Sequence, residues 1–118
     1  MRTPFIAGNW KMNKTVSEAE NLVTELKDRV KGVEEVEIGV CPPAIDLVSV
    51  KEIIGDSNIK IGAQNMRWED SGAVTGEISP PMLSELDLDY IIIGHSERRD
   101  YFGETDEEVN KKVKAAFA

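Results

Sequence analysis

His95 is the only histidine in the 118 residues, and it stands just past the apolar run Tyr90 to Ile93 and the single glycine Gly94. In parallel α/β folds, ligands bind beyond the carboxyl ends of the strands, so a polar side chain at that place is a candidate for chemistry. A short helix is expected directly after His95, through Tyr101. The positive end of a helix disfavours an imidazolium, so a neutral His95 could donate an N–H to a substrate oxygen. A satisfied structural histidine fits the same position, and the residue alone leaves both readings open. Ser96, Glu97 and Arg98 follow it. Two further apolar runs end in polar residues: Asn9 and Lys11 after Phe5 to Ala7, and Gln64 and Asn65 after Ile59 to Ala63. A loop lysine is ordinarily just solvated, so Lys11 alone is a weak signal. Cys41, between Val40 and Pro42 with no histidine near it in sequence, reads as a small buried hydrophobe in preference to a catalytic thiol.

The elements that must position these groups alternate along the chain. Tyr90 to Ile93 and Phe5 to Ala7 are continuous apolar runs, the mark of parallel strands covered on both faces. Val36 to Val40 and Ile59 to Ala63 alternate and read as two more strands. Val16, Ala19, Leu22, Val23, Leu26 and Val30 form one helical stripe. Thr15 with Glu18 is a capping box at its start, and Gly32 is the expected stop. Ala44 to Ile54 reads as a helix ended by Gly55. Ser79 before Pro80 predicts an N-cap and a short helix to about Leu86. Thr105 with Glu108 repeats the capping box ahead of Val109, Val113 and Phe117. The pattern is βα four times over, a single domain spanning 1–118 with a parallel sheet and right-handed crossovers. An open doubly wound sheet and part of a (β/α)₈ barrel both fit. A whole barrel takes about 250 residues, so the chain would supply about half. An open sheet usually has a Gly-rich turn after its first strand, and Gly8-Asn9-Trp10-Lys11-Met12-Asn13 is not one.

Composition narrows the classes. Hydrophobic content of 41% and charged content of 31% describe a globular chain with a core. A net charge of −8 argues against nucleic acid or an anionic membrane as partner. Met1 to Phe5 has no basic lead followed by a long apolar run, so no signal peptide is expected, and no run approaches the roughly 20 apolar residues of a membrane span. A single cysteine suits a reducing cytoplasm.

Taken together, the strand-end segments resemble the triose-phosphate isomerase family. Ala7-Gly8-Asn9-Trp10-Lys11-Met12-Asn13 is similar to its first-loop signature, and Val40-Cys41-Pro42-Pro43 to the end of its second strand. Gly62-Ala63-Gln64-Asn65 and Thr75-Gly76-Glu77-Ile78-Ser79 resemble its third strand and long third loop. Ile93-Gly94-His95-Ser96-Glu97-Arg98-Arg99, followed by Phe102-Gly103-Glu104-Thr105, resembles its fourth loop. The resemblance runs in register along the whole chain.

It implies the N-terminal half of a TIM (β/α)₈ barrel, a (βα)₄ unit completed by association. It also implies the glycolytic interconversion of dihydroxyacetone phosphate and glyceraldehyde 3-phosphate through an enediolate, without metal or organic cofactor. Lys11 matches the lysine that stabilises developing negative charge, and Asn9 a supporting polar residue beside it. His95 matches the electrophile that polarises the carbonyl while neutral. That role comes from the resemblance, triose-phosphate isomerase being itself the standard case of such tuning. Glu97 matches the carboxylate that partners the lysine, with a plain ion pair as the alternative, and Ser96 supports the loop. The loop from about Gln64 to Ile78 is long for a βα connection. In the family it reaches the neighbouring subunit, through Thr75, Gly76 and Glu77, with Arg98 in the same contact. Val74 departs from the aromatic residue often found at its place, which would weaken such a dimer.

No glutamate of the chain matches the family's general base, because Glu77, Glu97 and Glu104 match other positions, and the phosphate-binding loops are likewise unmatched. Isomerase activity of these residues alone is therefore expected to be negligible. The exposed edges of half a barrel favour a homo-oligomer or pairing with a complementary C-terminal half. A self-assembling module without catalysis is the second reading. A different α/β phosphate-binding domain is the third, and the missing Gly-rich turn counts against it.

Overall fold

The computed structural model describes residues 2–118. The apolar runs become the strands Phe5–Asn9 (β1), Glu37–Cys41 (β2), Ile59–Ala63 (β3) and Tyr90–Ile91 (β4). They form one sheet in the order β1-β2-β3-β4. β1 and β2 run parallel with Ala7 opposite Gly39 and Asn9 opposite Cys41, and β2 and β3 run parallel with Val40 opposite Ile61. The first strand is longer than its apolar run because Gly8 and Asn9 stay in the ladder. The last is shorter than expected, since Ile92 and Ile93 leave it before Gly94 turns at φ +69°.

The chain forms two compact units: one from residues through Gln64 with Leu88–Tyr90, the other from Asn65–Asp87 and Ile91–Ala118. In the first, Thr15 and Glu18 cap the helix Val16–Arg29 (α1) reciprocally, as expected. That helix ends earlier than Gly32, at the C-cap Val30. The amide of Asn58 then satisfies the carbonyls of Val30 and Val33. The predicted helix from Ala44 starts as a 3₁₀ turn, Ala44–Asp46, and continues as Leu47–Ile54 (α2), ended by Gly55. α1 packs on α2, and α2 on β3. Ala19, Val23, Leu47, Val50, Ile54, Val40, Ile59 and Ile61 make the core between them. Each large aliphatic side chain buried there contributes about 1.5–3 kcal/mol.

On the other face of the sheet, the rings of Phe5 and Tyr90 meet edge to face with centroids 5.0 Å apart. Gly39 and Gly62 lie beneath Tyr90. A Cβ on Gly39 would run into the Tyr90 hydroxyl and come within 2.9 Å of Phe5, and one on Gly62 would enter the Tyr90 ring. The ring therefore requires glycine at both positions. Among the described residues Tyr90 Oη makes no well-formed hydrogen bond; it faces the Cys41 thiol, a weak partner, and burial pushes its ionisation well above the usual phenol range.

The second unit holds the helices Pro80–Glu85 (α3), Ser96–Phe102 (α4) and Asp106–Phe117 (α5). Ser79 takes the extended N-cap backbone before α3, but its side chain makes no capping bond; Pro81 at the second position has no N–H, and the Met82 N–H at the third is not engaged by it. Thr105 and Glu108 form the second capping box. Around Glu104 a buried polar cluster ties the unit together. Its Oε2 accepts from Arg98 Nε at 2.7 Å and pairs with Lys112 Nζ at 3.1 Å, and Lys112 donates to Asn65 Oδ1 at 2.8 Å. The Glu104 and Lys112 side chains are 2% and 3% exposed. Burial alone would push the Glu104 carboxyl up, but hydrogen bonds and charge from Arg98 and Lys112 outweigh it and hold the carboxyl below its ordinary value. Among the described residues no helix is long and apolar enough to cross a membrane.

Two expected outcomes follow for stability. Gly39→Ala should cost about 1–3 kcal/mol by overpacking, read as a lower midpoint in urea unfolding. Glu104→Gln should cost about 3 kcal/mol, because it leaves Arg98 and Lys112 charged and underpartnered. A carboxylate whose folded pKa is depressed stabilises above its unfolded value of about 4.3 and loses that contribution as pH falls through the folded value. The gap between wild type and Glu104→Gln should therefore close on acidification and persist from neutral pH down to about pH 5.

Candidate active site

The residues after β1 are fixed by short-range bonds and by one long-range clamp. Asn9 Oδ1 accepts the Lys11 N–H at 2.9 Å, and Asn13 Nδ2 donates to the Trp10 carbonyl at 2.8 Å. Lys11 is held at φ +55°, in the left-handed region that only glycine enters freely. Strain of this kind costs on the order of 1–3 kcal/mol and persists where surrounding bonds impose it. Gln64 supplies them. Its Nε2 donates to the carbonyls of Lys11 at 2.9 Å and Cys41 at 2.8 Å, and Cys41 O also accepts the Trp10 N–H at 3.1 Å. Asn9, Lys11 and Gln64 are thus brought together in the first unit, with Lys11 exposed. The clamp by Gln64 was not legible in sequence beyond its place at a strand end. Cys41 is 1% exposed and burial pushes its thiol up, consistent with a packing residue.

In the second unit His95 is the N-cap of α4. Its Nδ1 accepts the Glu97 N–H at 3.0 Å, so the ring acts as the capping acceptor that a serine or aspartate usually supplies. An Nδ1 that accepts carries no hydrogen; in the neutral ring the hydrogen then resides on Nε2, which is left to donate elsewhere. The Glu97 carboxylate lies 3.6 Å from the same Nδ1. That is too long for a hydrogen bond, and with Nδ1 occupied as an acceptor the contact is not an ion pair of the neutral ring. The His95 side chain is 28% exposed, so a small molecule can reach it.

The neighbours of His95 are firmly held. Arg99 donates to the Gly94 carbonyl and pairs with Asp106 at 2.7 Å. Arg98 is drawn to Glu104 and lies over the Phe102 ring. Ser96 is exposed at the first turn of α4. The long loop is closed at its base by the Arg67 N–H donating to Ile78 O at 2.8 Å, and the Glu77 N–H donates to Val74 O at 3.0 Å. Thr75 and Gly76 stand exposed at its tip, with Gly76 at φ +92°. Among the described residues no group of three or more His, Cys, Asp or Glu gathers to hold a metal ion.

Comparison with known proteins places this geometry. The chain is 64% identical over 117 residues to a triosephosphate isomerase of Clostridium botulinum and 60% identical over 118 residues to one of Clostridium perfringens. These alignments take in 99% and 100% of the chain but 47% of each relative, so the chain spans about half the length of the relatives it matches. The crystal structure of triosephosphate isomerase from Bartonella henselae superposes with a TM-score of 0.85 at 41% identity, over 98% of this chain and 48% of that one. The family model for triosephosphate isomerase matches residues 4–118, and the chain belongs to the triosephosphate isomerase family.

Proposed function

We propose that these 118 residues act as one (βα)₄ domain carrying the lysine and histidine portion of a triose-phosphate isomerase site. Lys11 supplies a fixed positive charge for the developing enediolate, and Asn9 and Gln64 hold its loop. His95 is the electrophile: its Nε2–H points its proton at a substrate oxygen. Glu97 and Ser96 support it at the start of α4. The single observation that carries this reading is the bond from Glu97 N–H to His95 Nδ1, which selects the one neutral tautomer able to donate from Nε2. The substrate is a triose phosphate, and the chemistry calls for no metal or organic cofactor. Thr75, Gly76, Glu77 and Arg98 serve contact with a further subunit. A reducing, cytoplasmic setting suits the single buried thiol of Cys41.

The general base and the phosphate-binding groups are to come from a second segment, in the same or another polypeptide, because no glutamate among these residues matches the base. A second reading, a self-assembling half barrel without catalysis, is favoured by one observation. Phe5 and Ile6 are 47% and 62% exposed on β1, which ends the sheet. Apolar side chains on an edge strand favour association.

A coupled isomerase assay separates the readings. The 118-residue chain alone should show no activity above its His95→Gln variant. Mixed with the complementary half of a family member, the wild-type chain should regain turnover, and His95→Gln should lower it about 10²–10⁴-fold. Activity of the isolated chain above that control would overturn the need for a second segment, and a mixture that stays silent would favour the assembly reading. Light scattering on the purified chain should show a dimer or larger species; a stable monomer at micromolar concentration would sink the self-assembly reading.

A further inference from the structure

Asp46 lies at the junction between the 3₁₀ turn and α2, where an aspartate ordinarily accepts amide hydrogens and stays ionised. Here it does not. The turn runs straight into the helix, the Asp46 N–H donates to Pro43 O at 2.9 Å, and the side chain makes no capping bond. The residue is 0% exposed, and neither carboxylate oxygen has a hydrogen-bond partner among the described residues. A buried carboxylate with no donor is among the costliest groups a core can hold, and the neutral acid is the form such a place accepts.

The 3₁₀ turn packs against α1 and α2. From α1 the Glu18 carboxylate acts on Asp46 as a like charge, and α2 carries Lys51 and Glu52 as its charged groups. Glu18 is an exposed side chain tied to the start of its own helix. Its Oε1 accepts the Thr15 N–H at 3.0 Å in the capping box, and that bond holds its own carboxyl low. The box that starts α1 therefore keeps an anion within electrostatic reach of a buried acid. Burial first, and the Glu18 charge second, push the Asp46 carboxyl up.

We propose that Asp46 is a proton-operated latch: protonated, it keeps the turn Ala44–Asp46 packed against α1, and its ionisation loosens that turn. The sign is fixed by linkage. A carboxyl raised in the folded state contributes stability that is complete below the unfolded value of about 3.9 and is lost as pH rises through the folded value. This is opposite to the Glu104 dependence, so the two can be told apart in one protein.

The test is a carboxyl carbon-13 titration of the aspartates, with the Asp46 signal assigned by its absence in Asp46→Asn, combined with amide exchange of Ala44 to Val48 across the same pH range. The Asp46 carbon should titrate above the ordinary aspartate range. Exchange at Asp46 and Leu47 should accelerate with pH in the wild type beyond the rise seen in Asp46→Asn. The variant should also melt a few degrees higher at neutral pH. An Asp46 carbon titrating in or below the ordinary range overturns the latch, and so does an identical pH response of the two proteins. Should Asp46→Asn fail to fold, assignment through the Glu18→Gln shift leaves the wild-type titration to decide: loss of the like charge must lower the Asp46 midpoint, and an unchanged midpoint contradicts the proposal.

Discussion

One buried carbonyl governs the candidate lysine loop. Because β1 and β2 run parallel with Asn9 opposite Cys41, the Cys41 oxygen ends up where two donors converge, the Trp10 amide and the Gln64 side chain. Gln64 spends its remaining hydrogen on Lys11 O. Three strand ends are thereby joined through a single side chain, which also bonds the backbone of Lys11 in its left-handed conformation. Buried carbonyls must find donors, and at Cys41 the Trp10 amide and the Gln64 side chain meet that requirement together.

The same economy recurs around His95. A ring nitrogen serves as the helix cap, so an element only seven residues long starts at the histidine itself and its tautomer is set by backbone geometry. The Glu104 cluster, by contrast, is structural: it joins Arg98 beside the histidine to Asn65 at the root of the long loop through Glu104 Oε2 and Lys112, while Glu104 Oε1 has no hydrogen-bond partner among the described residues.

What could be read from the sequence was what depends on near neighbours. Both capping boxes, Thr15 with Glu18 and Thr105 with Glu108, form as expected because their two bonds close within three residues. The strands fall on their apolar runs, displaced by one or two positions where ladder bonds, not hydrophobicity, decide the end. Ser79 shows the limit, since its local motif is right and its cap bond is absent. The family segments at the strand ends identified Asn9, Lys11 and His95 as candidates. Gln64 and Asn65 stood out at a strand end, but their partners were not legible: Gln64 reaches Lys11 across 53 positions, and Lys112 reaches Asn65 across 47. Nor does any local pattern announce that Gly39 and Gly62 are glycines because a tyrosine ring from β4 lies over them.

The single histidine makes the most direct test simple. Uniform nitrogen-15 labelling of histidine in the purified chain reports one imidazole, read at a pH where it is neutral. The account predicts a ring with its hydrogen on Nε2 and an accepting Nδ1. A ring with its hydrogen on Nδ1, or the tautomer mixture of a free imidazole, would contradict it, because the Glu97 N–H would then not hold His95 in the form that can donate to a substrate oxygen.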